Sequence, residues 1–495
     1  MLRKNRGWSR RIRRGDTIAF AEQPAGGEGS KNIFRTVLNI AIVVAATSFL
    51  GPAGLGLTGV ALAGGVLAVQ VASGYLLNAL MPPEASGGMG FRGGETASPT
   101  YNLGTSQNRA RLNQVRPRQY GRHLIVPDLD TAPYAEYAGN DQYLYQVLNC
   151  GLGAYATHAV RLAETDLWTE TDGDTGNFDD VTLEFLAPGQ PVTLFPTGVI
   201  AAAEVNGIAL PGTNEDGAGW SGPFVCNPAG TEAKFLAFDF EWQQGAGRYT
   251  DSGGLVSVTT RLRLEVREID DAGDPAGDWE LLKETDYVFS TLTPQRLSER
   301  FPVASGRYEV RVQRVNDAAA VTDDKARDAV SWTGLRAYLT GETGSLDCTR
   351  IAVRMRASGQ LSGLSSRLFR VLQTAKLPVY QGRDEAGEPQ WSGPQETRSI
   401  FAAAADIARN GEYGGGLPDA CIDLDKLASL EATWEARGDT FDGVFDTKTS
   451  CWAALQDVLR AGRAEPQMAG DVLTVQRDEP RSVTSAVFSP ENIAA

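Results

Sequence analysis

Hydrophobic and polar positions divide the chain into stretches of quite different texture. From Thr36 to Met81 no charged side chain interrupts the sequence. Val37 to Leu50 and Leu55 to Leu80 are apolar runs, and Gly51-Pro52-Ala53-Gly54 between them reads as a turn. At 1.5 Å of rise per helical residue, the second run is long enough to cross a bilayer and the first is marginal. The pattern predicts an N-terminal apolar helical hairpin. Val37, Ile40, Val43, Leu50, Leu55, Val60, Leu67, Val71, Leu76 and Leu80 are its candidate membrane-inserting side chains. Gly59, Ala63, Gly64 and Ala68 would allow close backbone approach in lipid. A basic leader occupies residues 1–35 and a Pro/Gly linker residues 82–98.

Beyond the linker the pattern turns to strands. Tyr120 to Pro127 predicts a strand closed by proline, and Gln142 to Leu148 an unbroken β run. Val181 to Phe185 and Val192 to Phe195 predict further short strands around the Pro188-Gly189 turn. Short strands with close turns point to an antiparallel barrel or sandwich over residues 99–230. Phe235 to Phe240, Arg261 to Arg267 and Tyr308 to Gln313 each present an apolar face at period two, which predicts a β-sandwich over 231–342. Ile351 to Arg356 predicts one more half-buried strand within a last segment, 343–495. Helices follow there: Phe401 to Arg409; one capped by Asp423 with Leu427, Leu430 and Trp434 on one face and Gly438 past its end; and one capped by Thr449 or Ser450 with Trp452, Leu455 and Leu459 inward. Val472 to Val475 then closes a hairpin through Ala469-Gly470. The class is mainly β and multidomain, α+β in detail.

Length and charge narrow the function. At 495 residues the chain exceeds one compact core. The net charge is −15, and setting aside the seven cations of the first fourteen residues leaves −22. No broad basic face is then on offer, which argues against sequence-specific nucleic-acid binding. The apolar run starts too late and extends too far for a signal peptide, and no convincing cleavage site follows it. Five widely spaced cysteines, Cys150, Cys226, Cys348, Cys421 and Cys451, form no CxxC pair and read mostly as small buried hydrophobes.

Candidate chemistry is sparse. His123 and His158 lack a metal-ligand partner at i+4, and no GxSxG elbow accompanies either. Asp172, Asp174, Asn177 and Asp179 suggest a calcium loop, but Gly176 falls fifth where an EF-hand needs it sixth. Asp439, Asp442 and Asp446 resemble paired acids of a glycosidase, and the plainer reading is a loop between two helices. Gly414-Gly415-Gly416 lacks the Lys-Ser/Thr of a phosphate loop. No catalytic, cofactor-binding or metal residue is therefore assigned, and no cofactor is expected.

Two stretches carry a specific likeness. One runs from Tyr101-Asn102-Leu103 through Arg116-Pro117-Arg118-Gln119-Tyr120-Gly121-Arg122-His123, then Pro133 to Tyr137 and Asp141 to Tyr145. The other is Asn410-Gly411-Glu412-Tyr413-Gly414-Gly415-Gly416-Leu417-Pro418-Asp419, then Ile422 to Leu424 and Asp442 to Asp446. Both resemble the TipJ, or host-specificity, tail-tip proteins of siphophages, the group of the lambda central tail fibre protein. The likeness extends over nearly all of residues 33–495. It implies a baseplate-hub fold in which three copies form a ring of tube-like β-barrels beneath the tail tube. It also implies a location at the distal tail tip of the virion, after synthesis in the host cytoplasm. The implied partners are two further copies, other tail-tip and tail-tube proteins, the tape measure protein, and the host membrane through 36–81. Relatives continue past the point where Ala495 ends this chain, so a receptor-binding part is expected to be separate or missing. Two other classes compete: a pore-forming protein of another lineage, and a cell-wall hydrolase using Asp442 or Asp446.

Overall fold

The computed structural model describes residues 108–111, 114–341, 343–362, 364 and 367–479. The leader, the hairpin with its ten inserting side chains, the linker and the end of the chain after 479 lie outside the described residues. Among the described residues no helix is long and apolar enough to cross a membrane.

The described chain is mostly β, in several separate sheets. Two of them face each other in a first body. One runs in the order Arg122–Ile125, Phe369–Leu377, Tyr155–Leu162, Thr165–Thr169, Gly173–Asp174. The other runs Asp128–Leu129, Asp141–Leu152, Cys348–Arg356, Val181–Leu186, with Tyr134–Ala138 also paired to Asp141–Leu152. Leu148, Val160, Ile351, Val353, Phe369 and Val371 fill the space between them and are fully buried. The unbroken apolar run in Asp141–Leu152 has a simple cause. Leu144 and Leu148 face this core, whereas Tyr145 and Val147 pack on the opposite side with Tyr134, Phe195 and Tyr338. A strand buried on both faces does not alternate.

The barrels implied by the resemblance are not closed. Among the described residues each sheet ends in strands paired on one side only. Closure requires the last strand to bond the first. Here the chain passes from one sheet to the other at Pro127, which has no N–H to extend a ladder. The Tyr120–Pro127 run is likewise divided, into Arg118–Tyr120 and Arg122–Ile125, by Gly121 at φ +75°. No strand forms at Val192–Phe195. The Glu184 carboxylate accepts from the Thr193 N–H at 3.1 Å and the Leu194 N–H at 2.9 Å, taking donors that a ladder would need.

The period-two segments form a sandwich. Its outer sheets are Val199–Ala201, Ser331–Leu339, Ala233–Trp242, Gln295–Gly306 and, facing it, Ser221–Val225, Tyr308–Arg314, Val258–Glu268, Glu280–Phe289. Trp242, Trp332, Phe238, Phe240, Leu262 and Val310 are completely buried between them. On the solvent side of the second sheet, Arg311 is sandwiched between Trp220 and Trp279, at 4.2 and 4.1 Å. Glu265 is held by Arg263 and by the same Arg311 and is only 4 % exposed. The sandwich touches the first body through a polar seam. Asp239 pairs with Arg336, both buried, and Ser298 Oγ accepts from the Tyr137 N–H at 2.8 Å.

The last part holds the helices Ile400–Arg409, Leu424–Arg437 and Cys451–Arg460 and the hairpin Ala464–Ala469/Val472–Arg477. Asp423 caps the second helix by accepting from the Lys426 N–H, Gly438 ends it in the left-handed region, and Ser450 caps the third. Trp434 lies at the centre, its Nε1–H donating to Gly462 O at 2.9 Å. Trp452 does not point inward as its spacing suggested. It sits in the first turn and is 40 % exposed, so the buried face starts at Ala454 and Leu455.

Candidate functional site: a joint built from two distant stretches

The two stretches singled out in the sequence meet. Arg118–Tyr120 pairs antiparallel with Gly443–Phe445, in the register Arg118↔Phe445 and Tyr120↔Gly443. The Tyr120 ring packs against Phe441 and Phe445, with centroids 6.4 and 5.8 Å away. One residue further, the Arg122 N–H donates to Asp442 Oδ1 at 2.8 Å, and the Arg398 Nε–H donates to the same oxygen at 3.0 Å. Gly121 allows this approach. A Cβ there would stand 2.1 Å from the Phe441 carbonyl oxygen, and its positive φ disfavours any side chain. Gly121→Ala is expected to lower unfolding stability by more than about 1 kcal/mol. A denaturant midpoint equal to wild type would mean that the 441–443 segment moves aside.

Beneath the strand pair lies a buried polar centre. Arg118 Nη2–H donates to Asp406 Oδ2 at 2.9 Å and Nη1–H to Leu152 O at 2.8 Å. Its guanidinium stacks over the rings of Tyr120 and Tyr413, 5.1 Å from each. Asp406 Oδ2 also accepts from the Tyr120 and Tyr413 hydroxyls, at 2.8 and 2.9 Å. Burial works most strongly against the charged guanidinium, but Asp406 together with the Tyr155, Tyr413 and Tyr120 hydroxyls outweighs it and holds the Arg118 pKa above its ordinary value. Burial and the neighbouring Asp406 both push the Tyr120 hydroxyl up. At neutral pH the centre is thus one ion pair bracketed by two neutral phenols.

The triple glycine serves the same joint. The Gly415 N–H donates to Ile407 O and the Leu417 N–H to Ala408 O, so the loop caps the C-terminal end of Ile400–Arg409. A Cβ on Gly414 would lie 2.2 Å from Ile407 O, which explains a residue without one. Sequence reasoning placed Arg118 and Tyr413 in the two stretches but missed Asp406. The signal was present: Asp406 is the one charged residue in Phe401-Ala402-Ala403-Ala404-Ala405-Asp406-Ile407-Ala408, on a helix otherwise buried.

The remaining candidates are structurally engaged. His123 Nε2 lies 3.0 Å from Tyr120 O. His158 lies between Glu170 Oε2 at 2.6 Å and Thr374 Oγ1 at 2.7 Å. Asp172 accepts from Thr169 Oγ1–H and Asp174 from the Gly176 N–H, local bonds of a surface loop. Asp439 pairs with Arg437, and Asp446 lies 3.7 Å from Arg111. Cys150, Cys226 and Cys348 are buried free thiols, and burial pushes Cys348 up to about 11. A cavity of about 550 Å³ beside the joint is lined by Trp391, Asp406, Arg409 and Asp419. Arg409 there already pairs with Asp419 and stacks on Trp391 at 3.9 Å.

Asp442 makes the joint sensitive to acid. Burial disfavours its carboxylate, but the hydrogen bonds from Arg398 and the Arg122 N–H outweigh that and keep its pKa below the ordinary value. A depressed folded-state pKa stabilises above the unfolded value, near 3.9, and that stabilisation disappears as pH falls through the folded one. Thermal unfolding midpoints should therefore fall as pH drops below about 4, and less steeply in Asp442→Asn. Parallel curves for the two proteins would remove Asp442 from the account.

No family model matches the chain, and no curated protein matches it. Among solved structures it is similar to infectious bursal disease virus, Gx strain. That match has 10 % identity and a TM-score of 0.20, over 60 % of this chain and 58 % of that one. It is also similar to the stem and receptor-binding domain of the spike protein P1 from bacteriophage PM2. There the identity is 10 % and the TM-score 0.14, over 38 % of this chain and all of that one. Dimeric latent PorU from Porphyromonas gingivalis matches at 11 % identity and a TM-score of 0.18, over 67 % of this chain and 38 % of that one. Superpositions this loose define no common fold.

Proposed function

We propose that this chain is a virion structural protein, the hub of a siphophage tail tip. As a homotrimer it closes the tail tube, connects it to a receptor-binding fibre carried elsewhere, and takes part in host attachment and DNA ejection. One observation carries the reading. The two stretches that resemble the TipJ-like proteins lie about 300 residues apart in sequence, yet Arg118 meets Tyr413, and Tyr120 meets Gly443. Residues shared with such a family are expected to converge where they hold one structure together, and these do.

The test is immunogold electron microscopy of virions with antibody raised against residues 99–495. Label at the distal end of the tail supports the hub. Particles unlabelled both intact and after tail disruption, with antigen in host membranes instead, would sink it. In this reading residues 36–81 are shielded in the particle and enter the host membrane on contact. Full-length protein is then expected to release dye from liposomes, and a variant lacking 36–81 is not. Equal leakage from both would exclude the hairpin.

A further inference from the structure

Two tryptophans of the sandwich stand at its surface, while Trp242 and Trp332 are wholly inside. Trp220 and Trp279 lie just ahead of Ser221–Val225 and Glu280–Phe289, the two edge strands of one sheet. From opposite edges they converge on Arg311, in the strand Tyr308–Arg314 between those edges, with 4.2 and 4.1 Å from its guanidinium carbon to the ring centroids. Both indoles are half-buried. Trp242, Trp332, Trp391 and Trp434 each donate the indole N–H within the protein. Trp220 and Trp279 are held by no such bond among the described residues.

The charges beside the indoles cancel. Arg263 and Arg311 share Glu265, the Arg267 Nε–H donates to Glu309 at 2.6 Å, and Glu284 lies 3.9 Å from Arg263. These guanidinium and carboxylate groups answer one another in equal number, so the patch favours neither an anion nor a cation. Leu281, the cross-strand neighbour of Glu265, is 55 % exposed and adds bare apolar surface. A single exposed apolar residue such as Trp452 on its helix is ordinary. Two indoles brought from separate loops onto one arginine are not.

We propose that this face of the sandwich binds a neutral carbohydrate chain. A pyranose ring has an apolar C–H face, which an aromatic ring covers by dispersion and by displacing water, and a rim of hydroxyls. A hydroxyl both donates and accepts, so the rim can bond carboxylate oxygens and guanidinium N–H groups together. A surface that sets both beside aromatic rings, with no net charge, matches that chemistry. Arg263, Arg311 and Glu265 already hold one another in place, so little side-chain freedom is lost on binding. The site stands on the sandwich alone. Under the hub reading its ligand would be a glycan of the host envelope.

Calorimetric titration of the full-length chain with cellohexaose, chitohexaose, maltohexaose and mannohexaose tests it. At least one is expected to bind. Trp220→Ala and Trp279→Ala should each weaken that binding about tenfold, the scale of one aromatic face withdrawn from water. Trp452→Ala should leave it unchanged. Thermal unfolding as in wild type shows that a variant has lost the site and not the fold. A second readout needs no variant: bound sugar should shield Trp220 and Trp279 of the wild-type chain, and not Trp452, from oxidation by N-bromosuccinimide. No binding to any of the four, or binding that survives both tryptophan changes, would overturn the site. So would salt-sensitive binding of polygalacturonate in their place, since that ligand is an anion. None of these outcomes touches the tail-tip location, which the immunogold label decides.

Discussion

Asp406→Ala is expected to lower unfolding stability by about 3–5 kcal/mol, because it leaves the Arg118 guanidinium buried without its counter-charge. Arg118 is 8 % exposed and Asp406 14 %, so solvent does little to screen the loss. The Tyr120 and Tyr413 hydroxyls lose their acceptor in the same step, at about 1 kcal/mol each. The double variant Asp406→Ala/Arg118→Met should recover much of the loss, since an apolar replacement of both partners carries no buried charge. Urea unfolding of the wild type and both variants gives the comparison. A single variant within about 1 kcal/mol of wild type would mean that water takes the place of the carboxylate.

Asp239→Ala should have an effect of similar size in a different place. Asp239 and Arg336 are 7 % and 6 % exposed at the seam between the sandwich and the first body. Arg336 Nη2–H donates to Asp239 Oδ1 at 2.6 Å, and the Ser298 hydroxyl donates to the same carboxylate. The Tyr137 N–H reaches that hydroxyl from across the seam. Removing the carboxylate leaves Arg336 unpaired and frees Ser298 to rotate, a loss of about 3–5 kcal/mol. The seam should also open ahead of global unfolding. Hydrogen exchange would then be faster at Tyr134–Ala138 and Ser331–Leu339 than in the core of either part. Uniform acceleration throughout would show that the two parts unfold as one.

The sequence was most legible where structure is decided locally. Asp423, Gly438 and Ser450 do at the helix ends what their side chains do at any helix end. Leu236, Phe238 and Phe240 enter the sandwich core on their period of two, although Phe235, in the opposite phase, is 40 % exposed. Legibility failed where distant segments decide. Asp141–Leu152 pairs with Cys348–Arg356, about 200 residues later, and no periodicity encodes a partner. Val192–Phe195 has the composition of a strand but gives its donors to Glu184. The barrel was an expectation from resemblance, and Pro127 stands where one seam would have to close. The joint was half visible: its aromatic and glycine residues and Asp442 lay in the two stretches, and the carboxylate of its buried centre, Asp406, was hidden in an alanine-rich helix.

The sandwich enters and leaves the first body through adjacent strands. Val181–Leu186 leads into it, Cys348–Arg356 leads out, and Leu186 and Arg350 are Cα partners in that pair. Everything between Leu186 and Arg350 is thus a cassette with both ends at one doorway. A short turn could bridge that doorway without altering the register of either strand. A lineage could therefore discard the cassette, enlarge it or trade it for another while the Arg118–Asp406 joint stayed intact. The matching surface at Asp239 and Tyr137 is what any replacement would have to satisfy.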